Sequence, residues 1–272
     1  MKLSLCNEVI RELDFPRQCA LAAGLGYDGL EIAPFTLAED PLQLSAAEIK
    51  AVRTALVAEG LACSSLHWLL VAPPGLSITD PDPAVRARTA DALERLIGLA
   101  AELEAPVLVH GSPKQRMLVE GATSRGHAID VLRTAAAAAE PSGVTYCIEA
   151  LASGETDFVN TVAEAAAIVD TIASPAFRTM LDCSAAGREE GDLPGLVDRF
   201  LPSGHIAHVQ VNDPNRRGPG QGDLAIAPIV QALRRHDYRG WVAVEPFDYH
   251  PDGPTCAARA AGFMRGIMEA LA

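Results

Sequence analysis

Eight short apolar runs, each followed by a stretch with helical spacing, constrain this chain more than any other feature. They cover residues 2–6, 29–32, 62–66, 106–110, 145–149, 178–182, 206–211 and 241–245. Parallel strands need a crossover, usually a helix, and eight such units are what a (β/α)8 TIM barrel requires. The runs are mostly apolar rather than strictly alternating, as expected of strands covered by helices. At 272 residues, without a linker, low-complexity tract or shift in composition, the chain is expected to form one α/β barrel domain over 1–272.

The segments between the runs carry helix signals. Ser45-Ala-Ala-Glu48 and Thr161-Val-Ala-Glu164 both fit the capping box. Leu93, Leu96, Ile97, Ala100 and Leu103 recur at the spacing of a core-facing helix stripe. Residues 135–139 are all alanine, which lets a helix pack closely on a sheet. Gly24, Gly26 and Gly60 sit where helices should stop before the next strand.

Four of the runs end on, or contain, a residue able to bind a metal: Glu149 in TYCIEA, Asp182 in RTMLDC, His208 in IAHVQVND and Glu245 in WVAVEP. Parallel strands joined by helices all end on one face, so these residues can converge there. A carboxylate at the end of an apolar strand is costly to bury unless it is paired, protonated or metal-bound. Three in equivalent places repel one another unless a cation offsets them. Two Glu, one Asp and one neutral His form a hard, mainly oxygen-donor set suited to Mn²⁺, Mg²⁺ or Co²⁺. His67 and His110 also fall at strand ends, where they are candidates for substrate contact, orientation of a ligand or a second metal. Trp68 and Phe247 follow site strands and are candidates for apolar walls.

Two loops after strands look specialised, 71–82 (VAPPGLSITDPD) and 212–223 (NDPNRRGPGQGD), and in barrels such loops build the active site. In the second, Arg216 or Arg217 is placed to hold a hydroxyl or an anionic group, while the glycines permit close backbone approach.

The net charge of −13 gives no general attraction to nucleic acid or to an anionic membrane surface. Six scattered cysteines without CxxC spacing fit a reduced interior. Charge close to the N-terminus and the lack of any apolar run approaching about 18–20 residues argue against a signal peptide or a membrane span. A soluble, cytoplasmic protein acting on a small molecule is the expectation.

With IEA, LDCS, HVQVND, RRGPGQGD and VEPF in view, the chain resembles the xylose-isomerase-like TIM-barrel superfamily of sugar isomerases and epimerases, most of all its ketose 3-epimerase group. The resemblance implies that Glu149, Asp182, His208 and Glu245 bind one divalent ion, with Mn²⁺ the leading choice. It also implies that Glu149 and Glu245 act as acid and base on opposite faces of a keto-sugar. Proton return to the same carbon epimerises it; return to the adjacent carbon interconverts aldose and ketose. In ketose 3-epimerases a histidine commonly lies three residues after the metal Asp, where this chain has Ala185, and the arginine after the metal His comes slightly later, as Arg216. A larger keto-sugar, an acidic keto-sugar or a keto-glycoside suits such a pocket. A homodimer or homotetramer is likewise implied by resemblance.

Two other activities use related machinery. A dehydratase or lyase would expel a leaving group from the same enediolate. An apurinic endonuclease would recruit His67 and His110 as further metal ligands, but lacks here a second His near Asp182 and an Asp-x-His after the seventh strand.

Overall fold

The eight strands are β1 (Lys2–Cys6), β2 (Gly29–Ile32), β3 (Ala62–Leu66), β4 (Val107–His110), β5 (Thr145–Ile148), β6 (Phe177–Asp182), β7 (Ile206–Val211) and β8 (Trp241–Val244). Each pairs in parallel with the next, and β8 pairs with β1, closing the barrel. The structure is a computed structural model that describes residues 1–119 and 121–271. Glu120 and Ala272, part of the domain expected over 1–272, lie outside the described residues. Observed strands differ from the apolar runs by one residue at most at either end, and Glu149 and Glu245 stand just past β5 and β8.

The helices are α1 (Phe15–Gly24), α2 (Ala46–Ala58), α3 (Pro83–Glu102), α4 (Ala122–Ser142), α5 (Val162–Ile172), α6 (Cys183–Glu189), α7 (Leu193–Phe200), α8 (Ile226–Arg235) and α9 (Gly253–Ala270). Two of them, α6 and α7, share the connection from β6 to β7. The capping box at Ser45 is complete. At Thr161 only half of it forms: the hydroxyl accepts from Glu164 N, while the Glu164 carboxylate accepts from Asn160 N instead. Side-chain caps of this kind contribute about 1 kcal/mol each. Residues Leu93, Leu96, Ile97, Ala100 and Leu103 are all buried, so the stripe on α3 and its end faces the core as its spacing predicts.

Most of the apolar core fills the layer between barrel and helices. A smaller cluster of Val107, Val109, Cys147 and Met180 forms on the other side of the strands. Because strand side chains alternate, that cluster marks which face Glu149 and Asp182 share, since they follow Cys147 and Met180 by two residues. His110 has the parity of Leu108 and falls on the opposite face, among the helices. All six cysteines are buried and unpaired. Among the described residues no helix is long and apolar enough to cross a membrane.

Candidate active site

At the C-terminal end of the barrel the carboxylates of Glu149, Asp182 and Glu245 converge, each offering an oxygen within 4.8 Å of the others. All three are buried, at 5 %, 5 % and 2 % exposure. Glu149 and Glu245 are still held in the sheet by their amides, which donate to His110 O and Val211 O at 3.3 Å. Gly111 makes room for Glu149, since a Cβ at that position would collide with its Oε2. Burial pushes the Glu149 carboxyl well above the usual range, reinforced by the charges of Glu245 and Asp182. Burial does the same to Glu245, against the hydrogen bond and charge of His67. Burial also raises Asp182, to about 6, although Ala185 N and the Asn212 amide donate to it. Three carboxylates so disfavoured as anions form a group that could hold a cation, whose charge would offset their repulsion.

Asn212 ties the group together. Its Nδ2 donates to Asp182 Oδ2 at 2.7 Å and to Glu245 O at 2.9 Å, while its Oδ1 accepts from Ser184 N at 2.6 Å. Asp182 also caps α6, accepting from Ala185 N at 2.6 Å.

His208 stands outside that trio of carboxylates. Its Nε2 is 3.1 Å from Glu31 Oε2, and its Nδ1 is buried with no hydrogen-bond partner among the described residues. Glu245 Oε2 is likewise buried and unpartnered. A buried imidazole nitrogen and a buried carboxylate oxygen without partners among the described residues are donor types that suit a divalent ion. A second group of potential donors, Cys6, His67 and Glu245, suits a metal less well. Burial pushes the Cys6 thiol well up, so it stays protonated, and His67 is already engaged by carboxylates.

Below the carboxylates runs a network that the sequence did not disclose. His67 lies 2.7 Å from Glu8 Oε2 through Nε2 and 3.0 Å from Glu245 Oε1 through Nδ1. Burial alone would lower its pKa, but Glu8, Glu31 and the hydrogen bond to Glu245 outweigh that and raise it well above the ordinary value. Glu31, wholly buried on β2, accepts from Gln210 Nε2 at 2.9 Å. Burial would raise its carboxyl, yet His208 and His67 hold it below the usual range. A glutamate inside the apolar run GLEI was the available signal, by the same logic that singled out Glu149.

The cavity above the carboxylates is lined by Trp68, Ala185, Glu155, Arg188, Arg216 and Phe247, together with Gly111, Pro113 and Leu151. Trp68 meets Phe247 edge-on at 6.2 Å, and the Arg216 guanidinium lies over the Phe247 ring at 5.0 Å. Trp68 and Arg216 hold left-handed backbones, φ 54° and 71°, a strain that concentrates at functional sites. Arg217 pairs with Asp248 at 2.8 Å, and of the two adjacent arginines it is Arg216 that lines the cavity.

Direct substrate contact by His67 and His110 does not follow from this geometry. His67 is 1 % exposed beneath Glu245. His110 faces the helices, its Nδ1 at 2.7 Å from Tyr146 Oη, and burial followed by the Arg116 charge pushes its pKa down to about 3. Arg116, missed in the sequence, is fully buried and donates to Glu149 O at 2.7 Å. The loop 71–82 also stays out of the cavity; Ile78 N and Thr79 Oγ1 bond instead to Gln115 O and Met117 O in the loop after β4.

A closed parallel barrel with a buried carboxylate cluster at its C-terminal mouth defines a TIM-barrel protein with its candidate chemistry in the expected place. Residues 19–267 match the family model described as xylose isomerase-like TIM barrel, and the chain belongs to that family. It is 28% identical over 240 residues to a D-psicose 3-epimerase of Ruminiclostridium cellulolyticum, covering 87% of this chain and 79% of that protein. It is 27% identical over 259 residues to a probable ketose 3-epimerase of Synechocystis sp., covering 91% and 83%. A crystal structure of D-psicose 3-epimerase in the presence of D-fructose superposes with a TM-score of 0.85 at 22% identity, covering 98% of this chain and 99% of that one.

Proposed function

We propose that this protein is a divalent-metal-dependent epimerase or isomerase of a keto-sugar. The observation that carries the reading is the trio Glu149, Asp182 and Glu245, buried within 4.8 Å of one another with Glu245 Oε2 and His208 Nδ1 left unpartnered. Glu149, Asp182, His208 and Glu245 are the ligands, and Mn²⁺ is the ion of choice, Mg²⁺ and Co²⁺ sharing its preference for oxygen donors. The names of the relatives, psicose and ketose 3-epimerases, support the sugar class.

A divalent ion held by these four residues would supply Lewis-acid chemistry to the ketone and its neighbouring hydroxyl, making the proton on the hydroxyl-bearing carbon more acidic. Glu149 and Glu245 supply the acid and the base. One takes the proton from one face of the sugar and the other delivers a proton to the opposite face, inverting the centre. Burial favours the proton-bearing form of both side chains, so the pair is suited to one holding a proton while the other receives one. Asn212 orients Asp182, His67 orients Glu245, and Arg116 fixes the backbone of Glu149. Trp68 and Phe247 wall the cavity against water, and Arg216 reaches into it to bind the sugar.

The test is proton exchange in D₂O, followed by NMR, over ketohexoses, ketogluconates and keto-glycosides with Mn²⁺ added. Deuterium entering at one carbon beside the ketone is the expected result, and the product's configuration separates epimerase from isomerase or lyase. Failure to exchange on any of them with metal bound would reject the reading.

A further inference from the structure

Glu31 belongs to neither group of candidate metal donors, yet it is wholly buried within the apolar run GLEI of β2. Strands β2 and β7 are not neighbours in the sheet, so its contacts with β7 cross the barrel interior. Its Oε2 lies 3.1 Å from His208 Nε2, and its Oε1 accepts from Gln210 Nε2 at 2.9 Å. His67 Nδ1, 3.9 Å from Oε1, is beyond hydrogen-bonding range. The pairing of β2 with β3 shifts register between Leu30 and Glu31, an irregularity of the kind that re-aims a side chain beside an active site.

These contacts decide between two forms of His208. A neutral imidazole carries its proton on one nitrogen and a lone pair on the other. An ionised carboxylate only accepts, so the nitrogen that faces it carries the proton. With hydrogen on Nε2, the lone pair falls on Nδ1, the nitrogen that is buried without a partner among the described residues. The other tautomer would bury an unpaired Nδ1–H and set the Nε2 lone pair against a carboxylate, and both are costly. A buried charge is by itself a weak source of stability, so Glu31 is better explained by what it orients.

We infer that Glu31 is a positioning residue for the metal: its hydrogen bond fixes His208 in the Nε2–H tautomer and presents Nδ1 to the divalent ion. This rests on the metal-dependent reading above and adds a residue from a strand that supplies none of its ligands.

Imidazole ¹⁵N NMR on the full chain, with His208 assigned from the spectrum of His208→Gln, reads the tautomer directly. At about pH 8, above the ordinary imidazole value, wild-type His208 should be protonated on Nε2 alone. Adding diamagnetic Mg²⁺ should shift Nδ1 while the Nε2 proton stays. Glu31→Leu, which lacks an acceptor, should lose the single tautomer and bind Mn²⁺ about 10- to 100-fold more weakly by calorimetry. Glu31→Gln keeps one acceptor oxygen for His208, and the Gln210 Oε1, unpartnered among the described residues, can receive the new amide, so the tautomer and most of the affinity should be retained. A proton on Nδ1 in the wild type overturns the inference whether or not any variant folds. Equal Mn²⁺ affinity and an unchanged tautomer in Glu31→Leu, with only its stability lowered, would overturn it too and leave the metal site standing. An Nδ1 that responds to no divalent ion, with no heat of Mn²⁺ binding, would overturn both.

Discussion

His67 holds Glu245 from beneath: the hydrogen bond between His67 Nδ1 and Glu245 Oε1 is 3.0 Å, and Glu245 Oε2 is left buried without a partner. On its other side His67 reaches Glu8 at 2.7 Å. One carboxylate oxygen is thereby anchored and the other is presented to whatever enters the site, so orientation and reactivity are divided between two atoms of one side chain.

Replacing His67 with Gln is expected to lower kcat about 10- to 100-fold while KM moves less than about threefold, because Glu245 loses its orientation rather than its contact with the sugar. Breaking a buried ion pair also costs about 3–5 kcal/mol of stability. Steady-state kinetics and urea unfolding check both, and a variant that changes KM alone would contradict the positioning role.

Glu149→Gln and Glu245→Gln should each reduce turnover by about 10²-fold or more with the fold intact, as general acid–base groups do. Deuterium exchange and circular dichroism measure this. Wild-type rates in either variant would sink the two-carboxylate mechanism.

Mn²⁺ at about a hundred times its dissociation constant should stabilise the native state by about 2.7 kcal/mol, and a chelator should reverse the gain along with activity. Asn212→Ala, which loses the donor to Asp182 Oδ2, should weaken metal binding about 10- to 100-fold. Thermal melts across a metal titration report both effects; a melting temperature indifferent to metal would exclude the site.

His110 supplies a pH test away from the site. Its pKa is about 3 in the fold against 6.5 ordinarily. Between those values the unfolded chain binds a proton that the native state refuses, so the stability contributed by His110 falls as pH drops below about 6.5. The slope is about 1.4 kcal/mol per pH unit. Because that slope is reached only well below 6.5, the wild type should lose about 1.6 kcal/mol more than His110→Gln does from pH 6.5 to about 5. Parallel stability curves in urea would refute the buried neutral imidazole.

The barrel was legible because its signals are local. Apolar runs, caps such as Ser45-Glu48 and stripes such as Leu93–Leu96–Ile97 depend on residues a few positions apart. Glu149, Asp182 and Glu245 were legible for a related reason: a carboxylate at the end of an apolar strand conflicts with burial, and a repeated conflict marks a site. The same rule, applied inside GLEI, would have exposed Glu31.

Side-chain facing was not legible to that reading. His110 ends its strand and Glu149 stands just past the next, yet the pleat sends the imidazole to the helices and the carboxylate to the barrel axis. Register shifts at Leu30/Glu31 and at Thr179/Met180 re-aim two of the strands by a residue each. A one-residue shift exchanges the faces of a strand, and nothing in an apolar run records where it occurs.

By itself, then, the sequence determined the barrel and three of its converging carboxylates, since local periodicity and the cost of a buried charge are properties of short segments. Only the tertiary structure decided that His67 serves Glu245, that Glu31 pairs with His208, and that Arg216 rather than Arg217 turns inward to share Glu155 with Arg188. Those pairs span up to 178 residues of chain. They are made by strand register and loop anchoring, which act across space and leave no periodic trace in the order of residues.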